Sequence, residues 1–173
     1  MKNVLKWIGI GLGVVVVVAS IAVASLVLIA DNRLNKTYAV AVESIPIPAD
    51  PATIERGQHI VTTVCVGCHD ENLGGKPVLN APGFAVINAS NLTRGEGGVG
   101  NQYKDEDWVR AIRHGVDPDG KSLLLMPAPE LFYLRDLDLA AAIAYVKSVP
   151  PADNKPCSSH VRWPCLTDTP LSR

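Results

Sequence analysis

Hydrophobic residues are concentrated near one end of this 173-residue chain. Residues 8–30 contain no charged side chain and are rich in Val, Ile, Ala and Gly. A helix of that length rises about 34 Å, which exceeds the roughly 30 Å of a bilayer's hydrocarbon core. The pattern therefore predicts a transmembrane anchor in residues 1–30 that contacts lipid through residues 8–30. A cleaved signal peptide is the alternative, because Ala22-Val23-Ala24 is similar to a cleavage site.

Beyond the anchor, apolar positions recur with helical spacing in three segments: residues 51–64, 104–115 and 136–149. Asp50 and Pro51 mark the start of the first segment, because Asp caps helices and Pro is tolerated at the first helical position. Gly115 and Pro150-Pro151 mark the ends of the other two. No strand pattern of convincing length lies between them, so we predict a mainly α fold.

These elements divide the chain into four parts. Residues 1–30 are the anchor, and residues 51–151 form a helical domain that we call the head. Residues 31–50 contain Pro46 and Pro48, which favour an extended chain, so we predict a tether there. The tether serves either as a passive spacer or as a strip that lies along a partner subunit. Residues 152–173 form a tail.

The charge balance narrows the choice of partners. Two of the 16 basic side chains, Lys2 and Lys6, precede the apolar run. Residues 31–173 therefore carry 14 basic and 17 acidic side chains, a net charge of −3. A nucleic-acid-binding protein would present a basic surface instead, so we expect no nucleic-acid partner.

One pentapeptide indicates the chemistry of the head. Cys65-Val66-Gly67-Cys68-His69 has the C-x-x-C-H spacing with which a chain binds haem covalently. Two cysteines three positions apart present their sulfurs to the two vinyl groups, and the adjacent histidine reaches the iron. We predict one covalent haem c, held by Cys65, Cys68 and His69. A zinc site would need two further ligands, and a thioredoxin-like centre would need a βαβ context that is absent.

The second axial position of the iron decides between electron transfer and substrate binding. Met126 is the only methionine besides Met1, and Pro127 and Pro129 stiffen the segment that presents it. We therefore predict that His69 and Met126 are the two axial ligands. Ligation by a second histidine and an open iron are the alternatives, and the candidate histidines are His59, His114 and His160.

A metal-bound histidine usually donates its second ring N–H to an acceptor nearby. Pro82, in the sequence Ala81-Pro82-Gly83, is followed by a residue that favours turns. We predict that the Pro82 carbonyl oxygen accepts this hydrogen bond from His69.

Further motifs stand at characteristic positions along the head: Arg56-Gly57, Leu73-Gly74-Gly75, Asn91-Leu92-Thr93, Gly98-Val99-Gly100, residues 105–115, Met126-Pro127 and residues 145–151. With Cys65 to His69, they make the chain similar to class I c-type cytochromes over about residues 51–155. It particularly resembles the haem domains in cytochrome subunits of membrane-bound alcohol dehydrogenases. The resemblance implies a small all-α domain wrapped around the haem. It also implies that the first and last helices cross near Gly57 and Tyr145, and that Tyr103 packs near the porphyrin.

The resemblance further implies an electron carrier rather than an enzyme, with its haem attached outside the cytoplasm. We therefore expect a single-pass inner-membrane protein with a periplasmic head, serving as a subunit of a respiratory or photosynthetic complex. A tethered shuttle to a terminal oxidase and a cytochrome subunit of a periplasmic dehydrogenase are alternatives. Alcohol dehydrogenase cytochrome subunits carry three haem domains, whereas this chain has one C-x-x-C-H motif. An enzyme or gas sensor with an open iron and a purely structural subunit are the remaining hypotheses.

The tail contains two cysteines outside the haem motif. Cys157 and Cys165 are separated by seven residues, and an oxidising compartment would allow them to pair. We therefore predict a disulfide loop in the tail.

Overall fold

The computed structural model describes residues 2–81 and 85–155 and divides into two units, one through Tyr38 and one that begins at Ala39. Pro82, Cys157 and Cys165 lie outside the described residues. The predictions made for their roles therefore stay predictions.

The first unit contains helix α1, which extends over Lys2–Leu34. Within it, Lys6–Leu34 is long and apolar enough to cross a membrane, and among the described residues it is the one helix with that length and composition. Large side chains along it, such as Trp7, Val15 and Leu28, are more than half exposed. A long apolar helix with exposed large side chains fits the predicted anchor, and it continues four residues beyond the predicted end.

The second unit contains the head, and its elements in chain order are α2 (Pro51–Val64), α3 (Val66–His69), β1 (Pro77–Ala81), β2 (Ala85–Asn88), α4 (Asp105–Val109), a π-helical turn (Arg110–His114), α5 (Ala128–Leu131) and α6 (Asp136–Ser148). Together with the N-terminal helix, they confirm a mainly α protein and the three predicted helices. The second predicted helix differs in detail, because its C-terminal half is π-helical.

The predicted helix boundaries at Asp50 and Gly115 are confirmed. The Asp50 carboxylate accepts a hydrogen bond from the Thr53 backbone N–H at 3.0 Å and another from the Thr53 hydroxyl at 2.6 Å. These bonds from Thr53 lower the pKa of Asp50, so the cap is a carboxylate at neutral pH. Gly115 has a φ of 64°, the left-handed conformation in which glycine commonly ends a helix.

A small antiparallel hairpin corrects the all-α prediction for the head. Strands β1 and β2 pair Leu79 with Ile87 and Asn80 with Val86, and the register is irregular near Pro77. The two strands have five and four residues. Alternation over so few positions is too short to distinguish a strand from an irregular loop, which is why the sequence pattern missed it.

The contact between α2 and α6 forms the centre of the core. Val61 from α2 and Leu139 and Ile143 from α6 are completely buried. At the crossing, a Cβ atom built on Gly57 would lie 1.9 Å from the Ala141 carbonyl oxygen and 2.8 Å from the Tyr145 Cβ. The helices therefore approach at Gly57 and Tyr145, as the family resemblance implied.

Residues 39–50, which we call the strap, pack on the head. Ile45 is only 8% exposed and belongs to the core, and Val42 and Ile47 pack against the same cluster. The Glu43 carboxylate lies 3.5 Å from the guanidinium of Arg113. The predicted tether of residues 31–50 therefore differs from the structure in two ways. Its first residues belong to α1, and its second half is bound to the head rather than free.

Candidate haem site

A largely apolar cavity lies in the head, and the space within it and in the solvent at its open mouth is about 1220 Å³. Its walls come from α2, the loop before α4, the α4–π-helical segment, α5 with the loop before it, and α6, and they include Ile60, Val61, Val99, Ile112, Leu131 and Val146. Large apolar cavities with a few convergent polar groups are typical cofactor sites.

The C-x-x-C-H motif lies on the wall of this cavity. Helix α2 ends at Val64, and α3 begins at Val66, so Cys65, Cys68 and His69 come from a single turn and all line the cavity. The turn is closed by the His69 backbone N–H, which donates to the Cys65 carbonyl oxygen at 2.9 Å. The structure thus brings the three predicted attachment residues together.

The environment of Cys65 disfavours its thiolate form. Burial, followed by the proximity of Cys68, raises the pKa of Cys65 to about 11. A reactive or metal-binding cysteine needs the opposite shift, towards thiolate at neutral pH. Within residues 2–81 and 85–155, no group of three or more His, Cys, Asp and Glu side chains could hold a metal ion. The raised pKa of Cys65 argues against chemistry that needs a thiolate at this position.

His69 is oriented by a backbone acceptor. Its Nδ1 lies 2.8 Å from the Ser90 carbonyl oxygen. Because a carbonyl can only accept, we assign the proton to Nδ1, which leaves the lone pair of Nε2 available to a metal. Burial lowers the pKa of His69 against the opposing effect of the Ser90 bond, so the ring is neutral, as a ligand must be. Among the described residues the acceptor for His69 Nδ1 is thus Ser90, and the predicted acceptor, Pro82, lies outside them.

A buried polar network holds the loop that follows Ser90. Asn91 is completely buried, and its side-chain NH₂ donates to the carbonyl oxygens of Ala152 at 2.7 Å and Asn154 at 3.1 Å. Its side-chain oxygen accepts from the Thr93 backbone N–H at 2.9 Å. The network ties the loop that orients His69 to the first residues of the tail. The sequence contained this signal only as the shared motif Asn91-Leu92-Thr93.

Met126 lines the same cavity as His69. It lies in the loop just before α5, where its carbonyl oxygen accepts a hydrogen bond from the Ala128 backbone N–H at 2.8 Å. The preceding residue, Leu125, has a φ of 62°, a left-handed conformation that is strained for a residue with a side chain. The loop therefore presents Met126 through an unusual backbone turn.

The rival histidines occupy other places. Neither His59 nor His114 lines the cavity, and His160 lies outside the described residues. His59 is exposed on α2, whereas the His114 ring packs against that of Phe132 at a centroid distance of 5.8 Å. Met126 is therefore better placed than either described histidine to be the second ligand.

Two aromatic residues complete the cavity wall. The rings of Tyr103 and Trp108 meet edge to face at 5.1 Å, and both line the cavity. Burial, followed by the nearby Asp117 and Asp107 carboxylates, raises the pKa of Tyr103 to about 12, so its hydroxyl stays protonated. Trp108 is 3% exposed, and its indole N–H has no hydrogen-bond partner among the described residues.

These residues fit a haem. A buried indole N–H without an acceptor is costly, and a carboxylate carried by the cofactor would satisfy it. Two thiols, a neutral imidazole and a thioether line the same apolar cavity, which is the donor set that covalent haem c with His/Met ligation requires.

Comparisons with known proteins agree with this site. The Cytochrome c family model matches residues 54–150. The chain is 33% identical over 132 residues to the cytochrome c subunit of the quinone alcohol dehydrogenase of Gluconobacter oxydans (strain 621H), which covers 71% of this chain and 27% of that protein. It is 31% identical to the gluconate 2-dehydrogenase cytochrome c subunit of Pantoea cypripedii, over 72% of this chain and 30% of that protein.

A third relative is the fructose dehydrogenase cytochrome subunit of Gluconobacter japonicus, 30% identical over 76% of this chain and 28% of that protein. The chain thus spans less than a third of the length of these curated relatives. Its matched region contains the C-x-x-C-H motif and most of the cavity wall. The chain belongs to the cytochrome c family, whose covalently bound haem c matches the motif at Cys65 and Cys68.

Proposed function

We propose that this protein is a membrane-anchored cytochrome with one haem that transfers single electrons as a subunit of a larger membrane complex. The observation that carries the proposal is the shared cavity, which brings Met126 together with Cys65, Cys68 and His69. The haem supplies one-electron chemistry, because its iron exchanges between ferric and ferrous states. The protein itself is a carrier and catalyses no reaction of its own.

Each site residue has a distinct role in this proposal. Cys65 and Cys68 would hold the cofactor through thioether bonds. His69 would bind the iron through Nε2, and its hydrogen bond to the Ser90 carbonyl oxygen fixes the plane of the ring. Met126 would supply the second ligand and would thereby close the iron to substrates. The Trp108 indole N–H would donate to a cofactor carboxylate, and Tyr103 would pack beside the porphyrin.

The identity of the second ligand sets the redox range. A thioether ligand opposite histidine raises the potential of a haem relative to two nitrogen ligands. We therefore place the protein on the high-potential side of an electron-transfer chain. An enzyme or gas sensor would need an open axial position, and the presence of Met126 on the cavity wall argues against it.

Helix α1 and the relatives support a position of the protein in the membrane. Helix α1 would anchor the protein in the inner membrane, with the head on the periplasmic side, where haem c is attached. The relatives are named as cytochrome subunits of alcohol, gluconate and fructose dehydrogenases. These names favour a partner dehydrogenase as the electron donor, with a respiratory chain as the acceptor. A shuttle to a terminal oxidase is the second possibility.

An oxidising periplasm would also allow Cys157 and Cys165 to pair.

Gentle detergent extraction of the tagged full-length protein tests the proposal. We expect specific subunits of an electron-transfer complex to co-purify and the haem to be reduced and reoxidised at the turnover rate of that complex. Untagged membranes provide the control for non-specific capture. Isolation as a lone monomer without a specific partner would contradict the subunit assignment. A haem that stays in one oxidation state during turnover would indicate a purely structural subunit.

A further inference from the structure

His114 is a largely buried titratable side chain with no role in the proposed ligation of the haem. It is the last residue of the π-helical turn, and its side chain is 17% exposed. Its Nε2 is buried and has no hydrogen-bond partner among the described residues, but it lies 4.0 Å from the Glu43 carboxylate on the strap. Buried polar atoms are nearly always paired, so an unpaired ring nitrogen beside a carboxylate requires an explanation.

The charges around His114 come from three elements. Glu43 belongs to the strap, Arg113 precedes His114 in the π-helical turn, and Asp136 begins α6. Arg113 lies 3.5 Å from Glu43 and 2.9 Å from Asp136, and it also donates to the Leu134 carbonyl oxygen at 2.8 Å.

Among the other elements near His114, α5 packs against the π-helical turn and adds the exposed carboxylate of Glu130. The Phe132 ring packs against the imidazole, and Tyr133 in turn packs against Phe132. One turn earlier, Arg110 is paired with Asp107. The cluster of Glu43, Arg113 and Asp136 therefore has one positive and two negative charges. A proton on His114 would balance it.

Two segments that carry residues of this cluster or pack against it also line the haem cavity. Ala111 and Ile112 line the cavity two or three residues before His114. Leu131 and Leu134 line it on either side of Phe132 and Tyr133. A charge on His114 thus acts on the cavity through buried protein, which screens charges much less than water does.

We propose that His114, paired with Glu43, is a proton-binding site coupled to the oxidation state of the haem. The inference rests on the proposed electron-transfer function. On reduction, one electron enters the haem and lowers the positive charge in the cavity, and one proton from solvent binds His114 Nε2. On oxidation, both leave. By linkage, reduction strengthens proton binding to the same extent that protonation favours reduction.

The midpoint potential of the full-length holoprotein, measured against pH between about 5 and 9, tests this coupling. Because the reduced protein binds the proton more tightly, the midpoint potential should fall as the pH rises, between two plateaus. If the proton affinities of the two oxidation states differ tenfold, the midpoint potentials of the two plateaus differ by about 59 mV for a one-electron couple. In His114→Gln the profile should be flat.

Two further variants sharpen the test. Glu43 is 60% exposed, so Glu43→Gln should preserve the fold while removing the carboxylate that favours the charged imidazole. In this variant, the range of pH over which the midpoint potential changes should therefore move to lower values. His59→Gln, on the exposed face of α2, is the matched control and should keep the native profile.

Three outcomes would overturn the inference: a flat profile in the native protein, a pH dependence that persists in His114→Gln, or an unchanged profile in Glu43→Gln. The second outcome would place the proton elsewhere, for example on a carboxylate of the haem. Each of these three outcomes would leave the proposed electron-transfer function intact, provided that the haem shows a reversible one-electron couple. The absence of a reversible one-electron couple would instead contradict the proposed function.

Discussion

Met126→Ala is expected to leave the haem covalently attached but to lower its midpoint potential by on the order of 0.1 V or more, within the roughly 0.8 V range that axial ligands control. The thioether favours the ferrous state, and alanine cannot replace it as a ligand. The charge-transfer band from methionine to ferric iron should disappear at the same time. Visible spectra recorded during an electrochemical titration would measure both effects.

Leu125→Ala is the matched control for this variant. Leu125 precedes Met126 in the same loop, is 56% exposed and also lines the cavity, so its truncation trims the cavity wall beside Met126 without removing a ligand. The charge-transfer band should persist in that variant. Persistence of the band in Met126→Ala would show that Met126 is not the ligand. A loss of covalent haem in Met126→Ala would show that the residue acts in assembly instead.

Gly57→Ala is expected to destabilise the head by about 3 kcal/mol or more, the upper range for overpacking a protein interior. The added Cβ would lie 1.9 Å from the carbonyl oxygen of Ala141 and 2.6 Å from its carbonyl carbon. Backbone atoms cannot rotate away as a side chain can, so α2 and α6 would have to separate along their whole contact. Denaturant unfolding of the holoprotein, followed by far-UV circular dichroism, would measure the loss.

Gly67→Ala controls for the substitution itself. Gly67 lies in helix α3, and a Cβ built there meets nothing within 4 Å. Its replacement should be neutral or slightly stabilising, because alanine loses less conformational freedom than glycine in a helix. Equal stabilities of the Gly57→Ala and Gly67→Ala variants would contradict the close crossing of α2 and α6.

Local signals allowed much of the fold to be predicted. The uncharged run of residues 8–30 marked α1, and Asp50 and Gly115 marked helix ends that the structure confirms. The attachment residues were also predictable, because C-x-x-C-H places Cys65 and His69 on one turn by spacing alone. Such features depend on neighbours within a few positions, so a single sequence contains them.

Features that depend on distant contacts were missed. Only three of the apolar residues in the strap, Val42, Ile45 and Ile47, pack on the core, and nothing in their spacing along the sequence distinguishes them from the others. The acceptor for His69 is a backbone carbonyl, which any residue provides, so nothing in the Ser90 side chain could identify it. The environment of His114 was also hidden, because Glu43 is 71 positions away in the sequence.

The central claim is that His69 and Met126 close both axial positions of an electron-carrying haem. Exposure of the reduced, native full-length protein to carbon monoxide, monitored by visible absorption during a redox titration, tests it most directly. We expect a reversible one-electron couple whose reduced spectrum is unchanged by carbon monoxide, because no axial position is free. Rapid binding of carbon monoxide to the reduced protein would contradict the account and indicate an open iron.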